Sequence, residues 1–389
     1  MPAPGLTHSS PRLTIVIEHA LTRPWNDTGP WSARLSAGFV RRGWAVRVLA
    51  DTALDQRPYQ DAGVEVVLRR PAGTFVSARP LSYRAWLRGR IRDDRSGPVL
   101  SLTRIWAGDV WLPLGLSARE QFDLVRSGRS PLAAPRLALH TPRLLQTVSA
   151  ERAAAADARR AGTPPLRLSG PGVSPERVMT ASGLDQPTPE RVLHHRERVR
   201  RRLGLGAAPV ALASAAHLAQ PGWDAMLAGL AAGPDGIRLL VSGGSPHAVA
   251  MRARRAGVGG RVVPLSGLDP ARVGEVIAAA DAVVLPAHHA DRHGSGRLAA
   301  DGLRVGRPVL AAEGAPGAGL VEPRGFGTPA VGVIVSPPTA ERWRAAFGVL
   351  SDPGRLAGMT DAARSVGAGL GMDGLIERLA LRLSPWVRG

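Results

Sequence analysis

The feature that most restricts this chain is an alternation repeated along its length. A short apolar run gives way to a glycine-bearing turn and a helical pattern, and the next apolar run follows. "LTIVIEH" (13–19) is such a run. The polar turn "RPWNDTGPW" comes next, then a helical stretch with Leu35, Phe39 and Val40 as its apolar residues and a stop at Gly43. "AVRVLA" and "GVEVVLRRP" read as the second and third strands, and "PVLSLTRI" as another. "RLLQTVSAE" (143–151) reads as one more strand, ahead of an Ala-rich helix. The second half repeats the pattern in "APVALASAA" (208–216), "IRLLVSGG", "RVVPLSG", "AVVLPA" and "GVIVSP". Strands of this kind are covered on both faces, the condition of a parallel sheet flanked by helices. The expected fold is α/β: two doubly wound, Rossmann-like domains facing across a cleft. The Pro/Gly-rich "GTPPLRLSGPGVSPERV" marks the crossing. It separates an N-terminal domain over 1–172 from a C-terminal domain over 173–368. A helical tail over 369–389 is expected to pack back toward the first domain.

A chain of 389 residues suits two such domains. Aromatics make up 4% of it, so aliphatic side chains and alanine must carry the burial. With no cysteine, disulfides, thiolate metal sites and a cysteine nucleophile are excluded. The net charge of +19 admits two readings. It is an attraction for anionic lipid or phosphorylated ligands, or it is compositional background. The second is favoured because every basic residue is arginine in a chain rich in Ala, Gly and Pro. The lead "MPAPGLTHSSPR" has no apolar core of a signal peptide. No run approaches the roughly 18–20 apolar residues that span a bilayer. The expected location is cytoplasmic, with peripheral contact at the inner membrane face open; no nucleic-acid partner is expected.

Three glycine-bearing loops follow strands of the second half: "SGGSP" with Gly243 and Gly244, "SGLDP" with Gly267, and "HGSGR" with Gly294, Ser295 and Gly296. Glycine lets backbone N–H groups approach a phosphate, and a helix start adds a favourable dipole. Such loops also serve as ordinary strand–helix connections. If Gly296 opens the helix, Asp301 lies about 7 Å further along it. A diphosphate on the turn then brings a ribose diol to the carboxylate. A solvated helix acid is the bland reading of Asp301; the small neighbours Ala299, Ala300 and Gly302 favour a close ligand.

"GRPVL" fixes a further register, with Gly306 and Pro308 as its first and third residues. Together with "GLDPARVGEVIAAADAVVLPA" upstream and "GLVEPRGFGTPAVGVIVSP" downstream, it resembles the donor-site region of a GT-B glycosyltransferase. The family is the large retaining one that includes sucrose-phosphate synthase-like enzymes. Its acid–x7–acid signature places the second acid on Asp301, the first on His293 (Asp291 if the loop is longer), and a further acid on Glu322. "NDTGPWSARLSAGFVRRGWAVRVLAD" is similar to the family's first loop, helix and second strand, with Thr28 and Gly29 at the loop glycines. "WAGDVWLP" and "SGPGVSPERV" look like segments of the lipopolysaccharide-core glucosyltransferases. The resemblance covers roughly residues 12–368.

The chain departs from the family at four donor-holding positions. An Arg and a Lys that reach the diphosphate read Ala216 and Pro221 here, with His217 adjacent as a partial substitute. The first acid is His293, and the first loop glycine is Thr28. Losing two cations opposite a diphosphate costs about 3–6 kcal/mol, or roughly two to four decades of affinity. Arg292, Arg297 and Arg254 are the candidate replacements.

The resemblance implies hexosyl transfer from a nucleotide-sugar donor to a glycan or lipid-linked acceptor hydroxyl, in cell-surface polysaccharide synthesis. It implies retention, with no cofactor and no metal; the chain carries no Asp-x-Asp motif. Asp109 is the acceptor-side candidate, with His140 and His19 as alternatives. The competing reading is a degenerate member that binds or scaffolds. A third is a basic membrane- or nucleic-acid-binding protein, supported by the helices around "YRAWLRGRIR" and "HHRERVRRRLGL", whose arginines could dock to anionic lipid.

Overall fold

The apolar runs become two parallel sheets. In the computed structural model the described residues are 10–19, 28–52, 56–69, 79–103, 106, 108–112, 149–162, 184, 186–215, 218, 221–243, 245–265, 272–286, 295–315, 317–321 and 330–387. The chain divides into two compact units: unit 1, Met1–Leu168 with Met372–Gly389, and unit 2, Ser169–Gly371. The boundary falls within the Pro/Gly-rich crossing, which beyond Gly162 lies outside the described residues.

Unit 1 is built from β1 (Arg12–His19), α1 (Thr28–Arg41), β2 (Ala45–Thr52), α2 (Arg57–Gln60), β3 (Glu65–Leu68), α3 (Arg79–Asp93), β4 (Val99–Ser101), β5 (Val110–Trp111) and a helix α4 over 149–160. The sheet order is β3-β2-β1-β4-β5, all parallel. Gly43 ends α1 with φ of 83°, the left-handed conformation that lets the chain reverse directly into β2. One expectation is corrected, and one strand was not read. Residues 149–151 open α4 rather than close a strand. The two-residue β5 has too short a pattern to register as a strand in the sequence.

Unit 2 runs α5 (Pro189–Arg202), β6 (Val210–Ser214), α6 (Pro221–Ala231), β7 (Arg238–Ser242), α7 (Pro246–Arg255), β8 (Val262–Leu265), α8 (Val273–Ala279), β9 (Ala282–Leu285), α9 (Ser295–Arg304), β10 (Val309–Ala312), β11 (Gly332–Val335), α10 (Ala340–Gly348) and α11 (Pro353–Ala368). Its parallel sheet has the order β11-β10-β9-β6-β7-β8. β9 and β10 are buried at every residue, as strands covered on both faces must be. One helical layer pairs α6 with α10 through Trp223, Leu227, Trp343 and Phe347. The other pairs α5 with α8 and α9 with α11.

At the amino edge of this sheet three arginines converge on the C-terminal end of α8. Arg307 donates to the Ala278 carbonyl (2.8 Å), Arg200 to that of Ala279 (2.9 Å) and Arg196 to that of Ala280 (3.2 Å). The partial negative charge of a helix end accepts such cations. Asp281, the next residue, takes Arg196 and Arg200 at 2.6 Å each and the Val210 N–H at 2.7 Å. Burial, and then repulsion from Arg196, lowers the Arg307 guanidinium to about 10. The cluster ties α5, α8, β6, β9 and β10 together.

The last helix, α12 (Met372–Leu383), belongs to unit 1. It lies on α1, where Ile376 presses on Gly38, and Arg42 pairs with Asp373 (3.1 Å) and Glu377 (3.2 Å).

Candidate functional site

In a doubly wound sheet a ligand meets the carboxyl ends of the strands where the strand order reverses. In unit 2 that point lies between β6, which leads toward β7 on one side, and β9, which leads toward β10 on the other. In unit 1 it lies between β1 and β4.

The chain leaves β9 at Pro286 and re-enters the described residues at Ser295, the first residue of α9. Ser295 and Gly296 therefore form the helix start on the carboxyl side of the sheet, where free backbone N–H groups and the helix dipole favour an anion. Asp301 sits in the same helix and is 3% exposed. A carboxylate buried at this depth is not a solvated helix acid. The small residues around it have another purpose than the one read from the sequence. A Cβ on Gly302 would lie 2.8 Å from Val283 Cγ2, and Ala299 and Ala300 are fully buried. They bring α9 close to its own protein neighbours rather than to a ligand. Gly306 ends the helix at φ 79°, and the chain turns into β10.

Gly243 follows β7 at the same carboxyl edge, with φ of 77° and open space where a Cβ would stand. His293, His217, Gly244, Gly267 and Gly294 lie outside the described residues, as do Ala216, Arg292, His140 and Glu322. Thr28 and Gly29 open α1, following β1 at the unit 1 switch point, and His19 ends β1. Arg254 is in the last turn of α7, which runs back from the carboxyl edge. It therefore belongs to the amino side and cannot face an anion at the start of α9.

Asp109 is also corrected. It immediately precedes β5, and its carboxylate accepts from the Val99 N–H (2.8 Å) at the first residue of β4 and from Arg95 (2.7 Å). Both partners lie at the amino edge of the unit 1 sheet. Asp109 fixes the start of two strands, on the side opposite to the one a substrate would use.

The structure brings forward groups that the sequence did not single out. Asp51 near the carboxyl end of β2 and Arg69 just past β3 form a buried ion pair at 2.6 Å, and Arg69 also donates to the Ser82 hydroxyl at 2.6 Å. At the carboxyl end of β10 stands the exposed Glu313, whose carboxylate accepts from the Ser336 hydroxyl just past β11. Neither pair has a sequence signature, because each joins neighbouring strands whose adjacency is set by sheet order. Among the described residues no group of three or more His, Asp or Glu side chains could hold a metal ion. Nor is any described helix long and apolar enough to cross a membrane.

No protein-family model matches the chain, and no curated protein matches it. Solved structures do. WaaG, a glycosyltransferase involved in lipopolysaccharide biosynthesis, is 19% identical with a TM-score of 0.65, over 96% of this chain and 99% of its own. Anabaena HepE in complex with UDP and glucose is 15% identical at a TM-score of 0.61, over 96% and 99%. Sucrose-phosphate synthase from Thermosynechococcus elongatus is 14% identical at 0.61, over 95% and 98%. Two parallel doubly wound sheets and a likeness that spans nearly the whole of each chain lead to one conclusion about architecture: this protein has the α/β fold of the GT-B glycosyltransferases.

Proposed function

We infer that the protein is a glycosyltransferase that takes a sugar from a nucleotide-sugar donor and passes it to an acceptor hydroxyl. The observation that carries this reading is the start of α9 on the carboxyl side of the unit 2 sheet, next to the switch point, with Asp301 carried in the same helix. The helix start accepts the diphosphate, and Asp301 accepts the ribose hydroxyls. The anomeric carbon–oxygen bond to the β-phosphate breaks and the nucleoside diphosphate leaves. Its developing charge is stabilised by the N–H groups and dipole at the start of α9. The new bond joins the anomeric carbon to the acceptor oxygen, with retention, and the acceptor proton passes to the leaving phosphate. No metal and no cofactor has a part in this scheme. The acceptor is a glycan or lipid-linked saccharide of a cell-surface polysaccharide. The enzyme is of the hexosyl-transferring kind, and it works in the cytoplasm or at the inner face of the membrane.

Complexes of HepE hold UDP and UDP-glucose, so these ligands head the test. Thermal unfolding is followed with UDP, ADP, GDP and their glucose conjugates, for the wild type and for Asp301→Asn. A ligand at a hundred times its dissociation constant stabilises the fold by about 2.7 kcal/mol. The expected result is a shift with one nucleotide that the variant loses. A binding or scaffolding role is the second reading, favoured by Ala216, Pro221, His293 and Thr28 at donor-holding positions. A folded wild type unmoved by every nucleotide at millimolar concentration selects it.

A further inference from the structure

Glu313 is the residue that the carboxyl edge leaves without a task. It directly follows β10, the neighbour of β9, so it stands one strand beyond the switch point. Its backbone N–H extends the β10–β11 ladder by donating to the Val335 carbonyl (2.9 Å), which holds the residue in register. Its carboxylate is fixed from one side by the Ser336 hydroxyl, bound to Oε2, and is exposed to solvent. Ser336 is the one side-chain partner that Glu313 has among the described residues. The chain then turns through Gly314 and Gly317, both left-handed (φ 74° and 94°). A carboxylate aimed at solvent from a strand end, with one oxygen anchored and the other open, suits paired hydroxyl donors. It does not suit a phosphate, because like charges repel. Strand spacing of about 4.8 Å sets Glu313 roughly one hexose width to the side of the β9 exit.

We propose that Glu313, oriented by Ser336, recognises the sugar of the donor, and that the sugar is a neutral one offering a pair of adjacent hydroxyls rather than a uronate. This rests on the nucleotide-sugar reading above. The sugar hydroxyls donate to the open carboxylate oxygen, while the nucleotide is held elsewhere, on the start of α9 and on Asp301. Ser336 is a positioning residue, since it acts only through Glu313.

Isothermal titration separates the two arms of the ligand. The probes are UDP, UDP-glucose and UDP-glucuronate, with the ADP and GDP series alongside. The proteins are the wild type, Glu313→Gln, Ser336→Ala and Ser336→Thr. Glu313 is exposed, so the variants are expected to melt with the wild type when no ligand is present. For the nucleotide that binds, Glu313→Gln should leave the free diphosphate unchanged and weaken the glucose conjugate by roughly 10- to 100-fold, the value of a hydrogen bond to a charged group. The same variant should bind the glucuronate conjugate more tightly, because it removes a like charge. Ser336→Ala should weaken only the glucose conjugate, by a smaller factor, and Ser336→Thr should restore it. Nucleotide binding with an unchanged glucose increment in Glu313→Gln overturns this proposal and leaves the nucleotide reading standing. Failure of the wild type to bind any of these nucleotides overturns both.

Discussion

Asp281 shows how much one side chain can hold. Its two oxygens serve Arg196, Arg200 and the Val210 N–H at the amino edge of the unit 2 sheet. Removing one partner of a buried ion pair leaves the others uncompensated, at a cost of about 3–5 kcal/mol. Asp281→Asn is expected to lose that much in urea unfolding. Asp361→Asn, which breaks an exposed pair with Arg364, is expected to lose about 0–1 kcal/mol. Tyr59 gives a second residue-scale test. Its phenol is buried and shares a 2.7 Å hydrogen bond with Ser32. Burial pushes its pKa up to about 12, against the smaller lowering effect of the Ser32 bond. An acid raised by folding keeps its proton longer in the folded chain than in the unfolded one. Its contribution is therefore complete below pH 10 and is lost between about pH 10 and 12. Two pKa units correspond to about 3 kcal/mol. Tyr59→Phe should cost about 1 kcal/mol at neutral pH and escape that alkaline loss. The difference between the two pH profiles isolates the phenol from Arg307, whose pKa of about 10 falls at the edge of the same range.

At the scale of elements, the candidate-site helix α9 depends on its packing against α11. Arg304 donates to the Gly367 (3.1 Å) and Ala368 (2.8 Å) carbonyls at the end of α11. A Cβ on Gly367 would overlap the Leu303 carbonyl. Gly367→Ala is expected to push the helices apart at a cost of about 1–3 kcal/mol, and to weaken nucleotide-induced stabilisation because Asp301 is carried on the displaced helix. Calorimetry with and without UDP reads both effects. The α5–α8 pair responds to acid. Burial raises the Glu275 carboxyl, but hydrogen bonds from Arg272 and Arg198 and their charges leave it below its usual value. Partial burial lowers the His195 imidazole; Glu275 opposes this, and Arg198, Arg191 and His194 reinforce it. A lowered carboxylate gives up stability as pH falls below about 4.5 and through its folded pKa. A lowered imidazole gives up stability as pH falls below about 6.5, because the unfolded chain takes the proton first. Both signs agree, so unit 2 should weaken on acidification in two steps. His195→Gln removes the upper step, and the pH dependence of the urea midpoint measures it.

For the whole molecule, the chain returns to unit 1 in its last helix. Ile376 is fully buried against α1 beside Gly38, and Arg42 clasps the helix at Asp373 and Glu377. Ile376→Ala is expected to cost about 2–5 kcal/mol. Hydrogen exchange should quicken in β1–β3 and α1 while β6–β10 keep their protection. The sequence by itself determined most of the secondary elements, the parallel character of both sheets and the glycines that end α1 and α9, because apolar periodicity and left-handed turns are properties of short segments. It also placed a helix start at the Gly-Ser-Gly turn and Asp301 within that helix. It missed the two-residue β5, named Asp109 for acceptor contact, and took the small residues around Asp301 as room for a ligand. Only the tertiary structure decided which strands are neighbours. That order sends Asp109 to the amino edge and gathers Arg196, Arg200 and Arg307 at one helix end. It also pairs Asp51 with Arg69, and Glu313 with Ser336. The physical reason is that a strand's own residues fix that it is buried, while its partner is fixed by the packing of helices on both faces, a choice made by the whole chain at once.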